Sequence, residues 1–339
     1  MQKKVLVIIP WEAEDITELD QMKAEIIRRG HDLEVVLGRE YLTEDELIDV
    51  WQGVSSYVCG TDYVTRKALE NAPSLEHIAR VGVGFESVDL AAATDCGILV
   101  TTTPGAGAES VAEYAFALMI AVARRMPTGQ KLLRNGEWTH THGHSLYRKT
   151  LGVVGLGEIG RMLAKIVSGF DMKIAAYDIH MDNDYAKANN ITVCSSLDEL
   201  LEQSDFISIN VPKNKDTIDM ISAKEFKKMK KTAIIVNTAR GGIVNEKDLY
   251  EAVRDGEIAG AGLDVLSVEP MLDTTNPLLS HDNILVTPHN AGSAFEGRNR
   301  VIWAALDDAL DFLDGKKLPE RDIRNPDVLA KLKRDTMRS

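Results

Sequence analysis

The chain has 339 residues, more than one hydrophobic core usually serves, so two domains are expected. A hydrophobic fraction of 44% and a charged fraction of 27% exclude a disordered or collagen-like chain, and no apolar run approaches the roughly 20 residues of a membrane helix. The formal net charge of -13 opposes nucleic acid and anionic membrane surfaces as partners, so an anionic substrate has to meet locally placed arginines.

Cys59, Cys96 and Cys194 show neither CxxC spacing nor an even count, which fits a reducing cytoplasm rather than a disulfide framework. Lys3 and Lys4 lead into the short apolar run 5–9, which stops at Pro10 and acidic residues and reads as a first strand, not a secretory leader. Onward to Thr101, apolar runs alternate with amphipathic stretches, the βα rhythm of an open parallel sheet. Strands are expected at 5–9, 33–37, 56–58, 77–81 and 98–101, with helices at 18–29 and 64–71. The stretch 109–125 is apolar on nearly every face and predicts a buried helix at a domain or subunit contact. A loop follows with Trp138 and the alternation His140, His142, His144. From Thr150 the rhythm resumes with strands at 151–154, 173–177, 206–210, 233–237, 261–265 and 284–286, separated by helical stretches such as 197–203 and 246–254. A helix is expected at 297–313, then a charged tail, 315–339, poor in apolar residues.

The most specific local motif is Gly155-Leu156-Gly157-Glu158-Ile159-Gly160, placed between the apolar strand 151–154 and the helical run 161–169. Gly155 permits a tight turn, Gly157 lets the backbone approach a pyrophosphate, and Gly160 allows close packing of helix on sheet. The helix N-terminus offers N–H groups and partial positive charge to the diphosphate. Asp178 closes the next strand about 20 residues downstream, where a carboxylate accepts hydrogen bonds from the adenosine ribose. Ile179 and His180 follow it with no arginine to neutralise a 2′-phosphate, so NAD is expected rather than NADP.

Three further segments fall at expected strand ends, which line the ligand crevice of an open α/β sheet. They are Val236-Asn237-Thr238-Ala239-Arg240-Gly241-Gly242, Gly262-Leu263-Asp264-Val265 through Glu269-Pro270, and Thr287-Pro288-His289-Asn290-Ala291-Gly292. Oxidising a hydroxyl beside a carboxylate by hydride transfer needs a cation for the carboxylate and a base for the hydroxyl proton. Arg240 and His289 are those residue types, and Glu269 can supply a carboxylate that favours the imidazolium.

Over nearly its whole length the sequence resembles the D-isomer-specific 2-hydroxyacid dehydrogenases, most of all the 3-phosphoglycerate dehydrogenase branch. The match includes Arg80-Val81-Gly82-Val83-Gly84 with Val88-Asp89-Leu90, the Pro104-Gly105 hinge, Ser110-Val111-Ala112-Glu113, Lys149-Thr150-Leu151-Gly152 and the three segments above. The resemblance implies a Rossmann-type doubly wound cofactor domain at 103–289. It also implies a flavodoxin-like, discontinuous substrate domain at 1–102 and 290–325, with 326–339 as a tail. It further implies that Arg240 binds the substrate carboxylate, His289 is the acid/base and Glu269 pairs with His289. Cofactor contacts are implied for Gly155, Gly157, Glu158, Ile159, Gly160, Asp178, Val211, Pro212, Thr238, Ala239, Asp264, Ala291 and Gly292. Substrate contacts are implied for Arg80, Val81, Gly82 and Val83. The family works without a metal, and its helix after the hinge packs in a dimer interface, so a homodimer is expected here.

The sequence departs from the family pattern at Phe85-Glu86-Ser87, where an aspartate-asparagine pair is more usual, and at Asn210, where histidine is common. Cys59 stands where a phosphoglycerate dehydrogenase is expected to present an arginine to the 3-phosphate, which points to a smaller or uncharged 2-oxo acid. The tail stops short of the regulatory domain of some phosphoglycerate dehydrogenases, so feedback through such a module is not expected. His140, His142 and His144 read as a polar loop, with reach into a neighbouring subunit's site left open. Two other functions remain beside a small 2-oxoacid reductase: 3-phosphoglycerate dehydrogenase itself, and an NADH-sensing corepressor-like binding protein, which keeps the same three residues.

Overall fold

The computed structural model describes residues 3–39 and 41–330. The chain forms two compact units, one of residues 1–107 with 294 onward, the other Ala108–Ser293. These divisions lie a few residues beyond the expected 102/103 and 289/290.

In the first unit β1 (Lys4–Ile9), β2 (Asp32–Leu37), β3 (Ser56–Cys59), β4 (His77–Arg80) and β5 (Leu99–Thr102) form a parallel sheet in the order β2-β1-β3-β4-β5. β3 is buried on both faces, and β1 is buried at every residue after Lys4, as parallel strands covered by helices are. The helix Phe295–Leu313 covers one face: Ile302, Ala305, Leu306, Ala309 and Leu310 pack on Val5, Val7, Val58 and Ala79. Two elements passed unread here, the helices Glu44–Val50 and Leu90–Cys96. The first is announced by a capping box of Thr43 and Glu46, and Asp89 caps the second.

The segment expected as a charged tail is docked instead. Ile323 bridges Thr101 antiparallel, Asn325 receives the Val100 N–H, and Val328 is buried with Leu99 and Leu318. The edge of β5 would otherwise expose unpaired backbone groups, which these bonds satisfy. The remainder of the expected tail, 331–339, lies outside the described residues.

In the second unit β6 (Thr150–Val154), β7 (Lys173–Tyr177), β8 (Thr192–Val193), β9 (Phe206–Ile209), β10 (Ile234–Asn237), β11 (Gly260–Leu263) and β12 (Ile284–Val286) are all parallel. Their order is β12-β11-β10-β9-β6-β7-β8, so the winding reverses between β6 and β9, where doubly wound sheets bind ligands. The expected helix 109–125 is Ala108–Ala123, cut short where Arg125 turns left-handed at φ 53° and a second helix, Met126–Arg134, begins. Its apolar character is explained within this unit. Leu118 and Val122 press on Gly262 and Gly260 of β11, and Ala112, Phe116 and Met119 join the core of Leu151, Val153 and Phe206.

Candidate active site

The turn after β6 is built on three glycines with different reasons for being glycine. Gly155 sits at φ 93°, and a Cβ there would lie 2.7 Å from the Asn210 carbonyl oxygen. A Cβ on Gly160 would meet the Gly155 carbonyl oxygen at 2.3 Å, so neither position tolerates a side chain. Gly157 faces open space, with nothing within 4 Å of its Cβ position. It is also the N-cap of the helix Glu158–Ile166 and provides no side-chain acceptor, so the first N–H groups of that helix point outward for an anion. A diphosphate fits this cradle. Asp178 ties the turn shut: one carboxylate oxygen accepts the Leu156 N–H at 2.8 Å and the other that of His180 at 2.8 Å.

Sequence reasoning missed Arg161. Its guanidinium donates to the Leu156 carbonyl oxygen (3.0 Å) and to Asp182 (2.9 Å) while lying over the Tyr185 ring at 4.1 Å, so it braces the glycine turn from the helix side. Nothing in the linear spacing announces this brace, because its partners lie on either side of it along the chain.

At the end of β10 the Asn237 side chain folds the next residues into a turn, accepting the Ala239 N–H (3.0 Å) and donating to the Arg240 carbonyl oxygen (2.9 Å). Gly241 follows because the 266–267 backbone presses on it: a Cβ there would sit 1.9 Å from the Leu266 carbonyl. The Arg240 loop and the Glu269 loop are thereby in direct contact. Arg240 is half-buried, with one guanidinium nitrogen donating to the Ala239 carbonyl oxygen. Thr238 is buried nearby and its hydroxyl has no protein partner among the described residues.

His289 holds its ring against Glu269, with Nδ1 2.7 Å from Oε2, and the second oxygen of Glu269 accepts the Leu266 N–H at 2.7 Å. Burial pushes the Glu269 carboxyl upward, yet the hydrogen bonds from His289 and Leu266 and the charges of His289 and Arg240 prevail and hold it below the usual range. With Nδ1–H directed at the carboxylate, Nε2 is the nitrogen left to exchange a proton, and the side chain is half exposed. Asp264, expected among the cofactor contacts, is 1% exposed. Its oxygens are taken by Thr287 Oγ1 (2.6 Å), Asn290 N (2.8 Å) and Ala291 N (2.7 Å), so it holds the loop around His289. Gly292, like Gly157, faces open space.

The second unit thus brings together Arg240, Glu269 and His289 with the glycine turn, Asp178, Val211, Pro212, Thr238, Ala239, Asp264, Ala291 and Gly292, all on loops at strand C-termini or their adjoining helix. Arg80, Val81, Gly82 and Val83 belong to the first unit, at the C-terminal end of β4. Val81 is 5% exposed and packs in the core, which leaves only its backbone for a ligand, whereas Val83 is 52% exposed. Gly82 sits at φ 124°, and its N–H bonds the Thr103 hydroxyl.

The family model for the D-isomer specific 2-hydroxyacid dehydrogenase NAD-binding domain matches residues 116–291. A D-3-phosphoglycerate dehydrogenase of Methanocaldococcus jannaschii is 38% identical over 316 residues, 91% of this chain and 59% of that longer one. The chain belongs to the D-isomer specific 2-hydroxyacid dehydrogenases. A glyoxylate reductase of Korarchaeum cryptofilum is 39% identical over 265 residues, 76% of this chain and 79% of that one. The crystal structure of a glyoxylate reductase from Paecilomyes thermophila superposes with a TM-score of 0.79 at 27% identity, covering 94% of this chain and 98% of the other. As a member of this family the protein is an NAD-dependent oxidoreductase acting on CH–OH groups. Among the described residues no helix is long and apolar enough to cross a membrane.

Proposed function

We propose that this dehydrogenase reduces a small 2-oxo acid, of the glyoxylate or hydroxypyruvate class, as a cytoplasmic homodimer. The observation that carries the chemistry is the 2.7 Å contact of His289 with Glu269, whose loop packs against the one that bears Arg240. Bound NADH supplies the hydride. Arg240 holds the substrate carboxylate and polarises the carbonyl through its fork of N–H donors. His289 gives the Nε2 proton to the carbonyl oxygen as it becomes a hydroxyl, and Glu269 stabilises the imidazolium beforehand through Nδ1. In the reverse direction the same nitrogen takes the hydroxyl proton. Asp178, followed by Ile179 and His180, favours a ribose 2′-hydroxyl over a 2′-phosphate. Within the first unit, Arg80 and the backbone of 81–83 are the candidate substrate contacts.

The choice of substrate rests on Cys59. Its thiol is fully buried, and that burial pushes it up to about 12, so it stays neutral and offers no cation where a 3-phosphate needs one. Beside it Asp62, 1% exposed, accepts the Tyr57 hydroxyl at 2.5 Å and the Leu42 N–H at 2.7 Å, which adds a buried carboxylate to that strand end. A phosphate there gives up a charge-assisted contact of roughly 1.5–3 kcal/mol. The second reading, 3-phosphoglycerate dehydrogenase, is favoured by the 38% identity to an enzyme of that name.

Loss of NADH absorbance with glyoxylate, hydroxypyruvate, pyruvate and 3-phosphohydroxypyruvate under one set of conditions separates these readings. The unphosphorylated acids are expected to lead, with kcat/KM for the phosphorylated one lower by about 10 to 100-fold. A phosphorylated substrate ahead by more than tenfold reverses the assignment. Tight NADH binding with no turnover of any 2-oxo acid points to the corepressor-like reading.

A further inference from the structure

We infer that Thr287 is a positioning residue for His289, acting through the buried carboxylate of Asp264; this rests on the reading of His289 as the acid/base. His289 lies in the left-handed region at φ 52°, where a side-chain-bearing residue stays only if its surroundings fix it. Its own N–H is held by the carbonyl oxygens of Asp264 (2.9 Å) and Thr287 (3.0 Å). The Thr287 N–H is anchored on the Leu263 carbonyl oxygen (2.9 Å), and one carboxylate ties the chain before the histidine to the chain after it. Asp264 receives the Thr287 hydroxyl at 2.6 Å from before the histidine, and the N–H groups of Asn290 at 2.8 Å and Ala291 at 2.7 Å from after it.

The Asn290 and Ala291 donors are backbone groups that any residue supplies. The Thr287 hydroxyl is the single side-chain donor of the three, and it delivers the shortest bond. Asp264 is 1% exposed, so water does not readily replace a donor that is removed. Without the hydroxyl, the oxygen shared by Thr287 and Asn290 keeps only the Asn290 N–H. The backbone bonds of Thr287 and His289 remain, but the carboxylate then grips the loop only from beyond the histidine, and the 2.7 Å register of His289 Nδ1 on Glu269 is held less firmly. Among the described residues no hydrogen bond joins Thr287 to either of those side chains, which is why its effect has to pass through Asp264.

The test compares Thr287→Val, Thr287→Ser and His289→Ala with the parent enzyme. It follows kcat and KM with NADH and glyoxylate, NADH affinity by fluorescence, and the melting temperature. Valine keeps the shape and removes the donor, so kcat is expected to fall about tenfold while NADH affinity stays within twofold. The KM for glyoxylate is expected to hold while kcat falls, and serine is expected to restore kcat. Should valine not accumulate, Thr287→Cys, a weak donor, takes its place with the same expected direction. A valine variant whose kcat stays within twofold of the parent overturns the inference, and so does an equal loss of kcat and NADH affinity, which makes the residue a cofactor support. If His289→Ala turns over like the parent, the reading of His289 itself falls; a dead His289→Ala beside an unaffected Thr287→Val sinks only the positioning role.

Discussion

The two units end their first strand in the same topological place and do opposite things there. After β6, Gly155 and Gly160 are forced by close backbone contacts, while Gly157 leaves space above an uncapped helix N-terminus. After β1, Pro10 fills the corresponding gap: a Cβ on Gly60, at the end of the neighbouring β3, would lie 2.8 Å from the proline ring. The turn continues through Glu12 into the short helix Ala13–Asp15, whose first turn carries Glu14 and Asp15. An anion is welcomed at one end and repelled at the other. Two parallel sheets that both place a switch point beside their first strand thus differ in ligand capacity through a handful of turn residues, which is how sites are grafted on shared folds.

The largest effect this contrast predicts concerns His289. If proton transfer belongs to the second unit, His289→Ala loses about 10² to 10⁴ in kcat with NADH affinity close to intact. Steady-state rates beside a fluorescence titration check this, and retained turnover would shift the acid/base to another residue.

A pair of alanine substitutions addresses the turns themselves. Gly157→Ala has room for its methyl group, so the melting temperature should hold while NADH affinity drops tenfold or more, about 1.4 kcal/mol. Gly60→Ala has the reverse signature: the Pro10 contact costs about 1–3 kcal/mol of stability, and NADH affinity is unchanged. Equal loss of stability in both variants would deny that Gly157 is kept for a ligand.

The smallest effect concerns Asp308, a buried acid of the first unit that supports structure rather than chemistry. Burial, with Asp322, Asp311 and Asp307 adding to it against a hydrogen bond from Thr101, pushes its carboxyl up to about 7 from an ordinary 3.8. The folded state therefore holds a proton that the unfolded chain releases, and stability falls as pH rises from about 4 through 7. Asp308→Asn escapes that loss. Its advantage over the parent should grow by about 2 kcal/mol between pH 5 and pH 8 in urea unfolding, with kcat unaltered. Parallel pH curves would show that Asp308 is already relieved by its neighbours.

Much of this was legible because the responsible residues are close in sequence. The glycine turn, the strands that feed it, and the Asn237 to Gly242 and Thr287 to Gly292 loops each carry their reason within a few positions. The part Asp264 plays in holding the His289 loop is not legible in the sequence, because it depends on donors at 287, 290 and 291, which only the fold brings to it. The edge strand Thr192–Val193 is two exposed residues with no alternation to detect. The docked segment after Gly315 packs Leu318, Ile323, Val328 and Leu329 near the edge of β5, a spacing that matches neither helix nor strand.

That the helix Phe295–Leu313 covers the sheet of β1 to β5 has a consequence for biosynthesis. Ala108–Ser293 is continuous, so everything its core needs is translated before Phe295. The first sheet is complete by Thr102, yet Val5, Val7, Val58 and Ala79 lack Ile302, Ala305 and Leu306 over them until the second unit has been made. The nascent chain therefore carries an apolar face covered only in part, by Met22 and Ile26 of the helix Leu19–Arg28, through most of its synthesis, the kind of surface that chaperones retain and that aggregates form on. The domain begun first is finished last.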